Sequence, residues 1–149
     1  MGTSDEQIDD MIDILLIEPN PGDSRLFTEN FNDAKLLNTI HTVSDAESAL
    51  DFLYQRNDHS DKPRPDIVLL EPQLPGKNGM DVLSELKNES ALSEIPVIVL
   101  TSSEVGEDII QSYGIDADSY IQKPVEPDEF VEFVQSIEDF WFAIVQKSP

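Results

Sequence analysis

The sequence predicts an α/β fold: a doubly wound, five-stranded parallel sheet with helices on both faces. Three observations predict it. Short apolar runs alternate five times with stretches of helical periodicity along 149 residues, which is the pattern of parallel strands joined by helical crossovers. The runs are continuously apolar, as strands covered on both faces must be. One of them, Ile67-Val-Leu-Leu70, ends in Glu71 and then a Pro/Gly-rich turn. A central strand delivers a polar group to the carboxyl edge of a sheet in this way, and ligands of open α/β sheets collect at that edge.

The elements follow in order. Residues 1 to about 10 are acidic and polar and read as a solvated tail. Met11 to Ile17 is the first strand. Asn20-Pro21 opens a helix, with Asn as the cap and Pro at the first helical position; Leu26, Phe27, Phe31 and Ala34 recur at helical spacing. Leu36 to Val43 is the second strand. Ser44-Asp-Ala-Glu47 has the form of a capping box, and Ala46, Ala49, Leu50 and Leu53 line one face of the helix that follows. Residues 57–65 read as a loop with no apolar anchor. Ile67 to Leu70 is the third strand, and Met80, Val82, Leu83 and Leu86 mark a third helix. Ile95 to Leu100 is the fourth strand. Glu104 to Tyr113 predicts a helix, with Val105, Ile109 and Ile110 inward and Gly114 past its end. Ser119 to Gln122 is the fifth strand. From Asp128 a last helix carries Phe130, Phe133, Val134, Ile137, Phe140 and Trp141 at helical spacing. Within Phe140-Trp141-Phe142 not every ring can point inward, so one or two are expected at the surface. The flavodoxin-like strand order 2-1-3-4-5 suits five such units and brings Glu18, Glu71 and Thr101 to one edge. One domain over residues 11–146 is expected, with a short tail at 147–149 and no output domain.

Composition narrows the function. The net charge is −22, from 31 acidic and nine basic residues. Such a surface repels nucleic-acid phosphates and anionic lipid, so neither is an expected partner. The acids are spread along the chain rather than gathered in a block, as in proteins adapted to high salt, where molar salt cuts the screening length to about 3 Å. There are no cysteines, which excludes disulfides and thiolate metal sites. The apolar runs are too short to span a bilayer, and the amino terminus lacks the features of a signal peptide. A cytoplasmic location is expected. His41 and His59 have no metal-like partners nearby in sequence and read as structural or solvated. A flavin site would need a phosphate-cradling loop after the first strand, but Glu18-Pro-Asn-Pro-Gly-Asp23 is acidic.

Glu18 after the first strand, Glu71-Pro-Gln-Leu-Pro-Gly-Lys-Asn-Gly79 after the third, Thr101 after the fourth and Lys123-Pro124 after the fifth stand in one order, each at a strand end. In this the chain resembles the receiver domain of two-component response regulators, over about residues 12 to 145. The resemblance implies Mg²⁺-assisted transfer of a phosphoryl group to an aspartate after the third strand. It makes Glu71 the equivalent of the phospho-acceptor, Glu18 part of the acidic pocket, Lys123 the pocket lysine and Thr101 and Tyr120 the switch pair. It also makes the Lys123-Pro124 bond a candidate cis peptide.

Two positions depart from that pattern. The residue after Glu18, where the family carries a metal-ligating acid, is Pro19, which has no side-chain oxygen. The acceptor position holds glutamate, whose carboxylate stands about 1.5 Å further out than that of aspartate, and misplacement by about 1 Å can cost on the order of 100-fold in rate. Both departures act against phosphoryl transfer. The chain is therefore expected to be a stand-alone pseudo-receiver, not an enzyme, with weak or absent Mg²⁺ binding. It would act by contact with a protein such as a sensor histidine kinase, and homodimerisation through the last helix is possible. The alternative is a working response regulator that accepts phosphate at Glu71. Lys123 is expected to pair with Glu71.

Overall fold

The computed structural model describes residues 12–32, 38–75, 79–101, 118–122 and 126–147; the side chains of Thr101 and Tyr120 fall outside it. The described strands are β1 (Ile12–Ile17), β2 (Asn38–Val43), β3 (Ile67–Leu70), β4 (Val97–Thr101) and β5 (Ser119–Gln122). They form one parallel sheet in the order β2-β1-β3-β4-β5. The described helices are α1 (Pro21–Asn32), α2 (Ala46–Leu53), α3 (Gly79–Asn88) and α4 (Phe130–Lys147).

Side-chain alternation along each strand divides the core in two. Leu15, Ile17, Val68, Leu70, Val97 and Val99 face α2 and α3. Ile14, Leu16, Ile67, Leu69, Ile98 and Leu100 face α1 and α4. Helices therefore cover both faces; β3 is buried throughout, and β1 is buried except at the half-buried Asp13, which is why these strands are almost wholly apolar. On the α1–α4 side, Phe27 meets Phe130 edge-on with ring centroids 5.2 Å apart, and Phe133 also at 5.2 Å. Each fully buried Phe or Leu adds about 1.5–3 kcal/mol over an exposed one.

Several local expectations need correction. The cap of α2 is Asp45, whose Oδ1 accepts from the Ser48 amide at 2.7 Å, so the cap lies one residue beyond the Ser44–Glu47 box. An aspartate one step closer to the helix satisfies the third helical amide directly. Residues 57–65 do have apolar anchorage: Asn57–His59 form a 3₁₀ turn, His59 packs on the Phe52 ring at 5.5 Å, and Pro65 is buried. β4 begins at Val97, because residues 91–94 form turns that end against Ile95. The last helix begins at Phe130, after a 3₁₀ turn at Pro127–Glu129. The predicted helix at Glu104 to Tyr113, Gly114, and the starts of the first two strands at Met11 and Leu36 lie outside the described residues.

Candidate functional site

The carboxyl edge of the sheet is built from two strand ends of the same design. Ile17 and Leu70 are register partners in β1 and β3, so Glu18 and Glu71, the next residue on each strand, are neighbours on one rung. Each continues the ladder with its backbone. The Glu18 amide donates to the Val43 carbonyl and the Glu71 amide to the Ile17 carbonyl, both at 3.0 Å. Both side chains are buried, 2% and 4% exposed.

Each carboxylate also turns onto its own loop. Glu18 Oε2 accepts from the Asn20 amide at 3.1 Å, and Glu71 Oε1 accepts from the Gln73 amide at 3.2 Å. These are some of the contacts of two acids that have further partners. Each turn is also bonded to the start of the helix that follows in the sequence. Asn20 Oδ1 caps α1 by accepting from the amides of Gly22 at 2.8 Å and Asp23 at 3.1 Å, as the Asn-Pro signal predicts. The Pro72 carbonyl accepts from the Gly79 amide at 3.1 Å, at the start of α3.

The sequence-predicted residues divide accordingly. Glu18, Pro19 and Glu71 come together at the edge. Thr101 ends β4 opposite Gln122, and Tyr120 lies in β5 opposite Val99, so the backbone places both on the strands the register requires. The Thr101–Glu71 and Lys123–Glu71 contacts and the Lys123-Pro124 bond lie outside the described residues. Glu18 and Pro19 also line an open groove of about 790 Å³ that runs past Ser24, Thr28, Thr42 and Ser48. At the position where the resemblance puts a magnesium-ligating acid, Pro19 offers no side-chain oxygen, and no group of three His, Asp or Glu suited to a metal occurs among the described residues.

Away from this edge, His41 Nε2 lies 3.0 Å from Asp13 Oδ1 and its ring packs on Phe52 at 5.2 Å. His59 Nδ1 is buried with no hydrogen-bond partner among the described residues. On α4, Phe140 and Trp141 pack against the core, whereas Val131 and Phe142 are 61% and 41% exposed. No described helix is long and apolar enough to cross a membrane. The roles of the Asn20 and Gln73 amides and of Gly79 were not predicted from the sequence. The signal for the first two was the repeated Glu-Pro-Asn and Glu-Pro-Gln at two strand ends.

The comparisons with known proteins agree with this arrangement. The response regulator receiver domain profile matches residues 14–135. Response regulator Rcp1 of Synechocystis sp. is 36% identical over 132 residues, 89% of this chain and 90% of the relative. The probable methanogenesis regulatory protein FilR2 of Methanothrix harundinacea is 31% identical over 135 residues, covering 91% and 86%. Among solved structures, the phosphorylated cyanobacterial phytochrome response regulator RcpA superposes with a TM-score of 0.81 at 34% identity, over 90% of this chain and 96% of that one. The Mn²⁺-bound form of Rcp1 gives 0.78 at 36% identity, over 87% and 94%. With its sheet order, its edge acids and a matched profile over most of its length, the chain belongs to the response regulator receiver domain family.

Proposed function

We propose that this chain is a pseudo-receiver: a two-component signalling module that works by protein contact, without phosphoryl transfer at Glu71 and without a resident divalent cation. The observation that carries this reading is the state of the two acids. Glu71 stands at the acceptor position, Pro19 at a metal-ligand position, and both buried carboxylates accept hydrogen bonds from their own turns. A divalent cation would compete with those amides for the carboxylate lone pairs and would lack a side-chain carboxylate at position 19. The resemblance assigns the positive charge that two neighbouring buried acids require to Lys123, which lies outside the described residues.

The contact surface fits the last helix. Val131 and Phe142 are its exposed large apolar residues among those described. They are eleven residues apart, about three turns, so they lie on one side of the helix. That stripe serves a sensor kinase, another signalling protein or a second copy of this chain. The surrounding charge favours a basic partner and disfavours nucleic acid.

The phosphorylated state of the relative RcpA supports a second reading, in which Glu71 still accepts phosphate. Incubation with acetyl phosphate and Mg²⁺ followed by intact-mass measurement separates the two. No phosphate adduct is expected on the wild type. The Glu71→Asp, Pro19→Asp double variant is expected to gain a labile phosphoryl group. A stoichiometric adduct on the wild type that is lost in Glu71→Gln would overturn the proposal.

A further inference from the structure

The sequence repeats one short unit at both site acids, Glu18-Pro19-Asn20 and Glu71-Pro72-Gln73, and the structure repeats its geometry. In each unit the glutamate amide bonds the last carbonyl of the neighbouring strand. Its buried carboxylate then accepts the amide two residues on. We infer that Pro19 and Pro72 are positioning residues, which hold the two carboxylates on those amides as a matched pair of latches and fix the edge of the sheet in one state.

The proline acts in three ways. Its ring fixes φ near −65°, which sets the direction of the following amide. It also drives the residue before it into the extended region, so the glutamate leaves the strand without a kink and its side chain lies beside the turn. Finally, proline has no amide hydrogen of its own, so the donor at the second position meets no competition from the first.

Each latch is tied to the helix that follows. Asn20 donates its amide to Glu18 while its side chain caps α1. The Pro72 carbonyl receives the first amide of α3. A carboxylate that left its amide would loosen the entry to a helix, so the latches couple the state of the acids to the position of α1 and α3. The inference rests on the reading of this pocket as an unswitched site. Its readout is backbone protection, so it stands or fails separately from the phosphorylation assay.

The experiment is amide exchange of individual residues, followed by NMR in Pro19→Ala, Pro72→Ala, Glu71→Gln and Glu71→Leu. Pro72→Ala is expected to speed exchange at Gln73 on the order of tenfold, the equivalent of one charge-assisted hydrogen bond, and to leave Asn20 unchanged. Pro19→Ala is expected to do the reverse. Glu71→Gln keeps an acceptor and should retain most of the protection at Gln73, whereas Glu71→Leu should lose it. Unchanged exchange at both amides in the proline variants would overturn the inference. So would equal acceleration throughout the sheet, which would make the prolines general stiffeners, or equal protection in Glu71→Leu and the wild type.

Discussion

A Cβ built on Gly79 would stand 2.6 Å from the Pro72 carbonyl oxygen, 2.8 Å from the Pro72 Cα and 2.9 Å from the Glu71 carbonyl oxygen. All three atoms belong to the backbone that carries the site acid, so none can swing away. The glycine lets the first turn of α3 close directly on the turn after β3. Gly79→Ala is therefore expected to lower stability by about 1–3 kcal/mol, the usual cost of overpacking. Gly22→Ala is the control, because its Cβ meets only the Asn20 side-chain oxygen, at 3.2 Å. Urea denaturation with unchanged m-values checks the pair, and equal midpoints for the two variants would refute the argument. The site's residues were legible to unequal degrees. Glu18, Pro19 and Glu71 could be placed from the sequence because each follows an apolar run that can only be a buried strand. That both carboxylates turn onto the amide two residues further along the chain was not legible, since a side chain's choice among nearby donors depends on turn geometry that no periodicity reports.

Two kinds of tie hold the elements in register away from the site. At the amino edge of the sheet, Asp66 Oδ2 accepts the Asp13 amide at 2.7 Å. Asp118 Oδ2 accepts the Val97 amide at 2.7 Å and Lys87 Nζ at 2.8 Å. Acid side chains there complete the ladder just before the neighbouring strand begins. Between helices, the Tyr54 hydroxyl, just past α2, donates to Glu85 on α3, while the Arg56 guanidinium lies 5.0 Å from the Tyr54 ring centre. The bond to Glu85, and then burial, push the Tyr54 phenol up to about 12. Its folded value thus lies above the ordinary value near 10, so the stabilisation is complete below pH 10 and is lost as pH rises toward 12. Tyr54→Phe is expected to cost about 1 kcal/mol at pH 7, less than the roughly 1.5–3 kcal/mol of a bond to a charged acceptor because the ring is partly exposed. The gap between variant and wild type should hold to about pH 9.5 and close by about pH 12, as urea midpoints across that range would record. A gap that widened with pH would refute the assignment. Elements with strong internal periodicity, β1, β3, α1 and α4, were readable almost to their ends. The cap of α2 and the turn at Asn57–His59 were not, because the cap depends on which of two adjacent acceptors reaches an amide, and His59 is anchored by a ring on another element.

Charge is the property that acts on the whole molecule at once. The net charge of −22 remains however the nine basic residues pair. The described Arg and Lys pairs are Arg25–Glu29, Arg56–Asp51 and Lys87–Asp118. Exposed pairs of this kind are worth about 0–1 kcal/mol each, too little to offset repulsion among so many like charges. The unfolded chain spreads the same acids over a larger volume, so repulsion penalises the compact state more and salt should favour folding. Raising KCl from 0.1 M to 1 M shortens the screening length from about 10 Å to about 3 Å, below the spacing of most surface charges. The thermal midpoint is therefore expected to climb steeply up to about 1 M KCl and then level off. The levelling identifies the cause, because stabilisation by exclusion of salt from the surface would continue to rise with concentration and would be much greater in sulfate at equal ionic strength. The exposed acids on α4, Glu132 and Asp139, link this to recognition: a basic partner at the Val131–Phe142 stripe would be bound faster at low salt, where the fold itself is weakest. A midpoint that did not change between 0.1 M and 1 M KCl would show that the acids are held apart well enough for their repulsion not to matter.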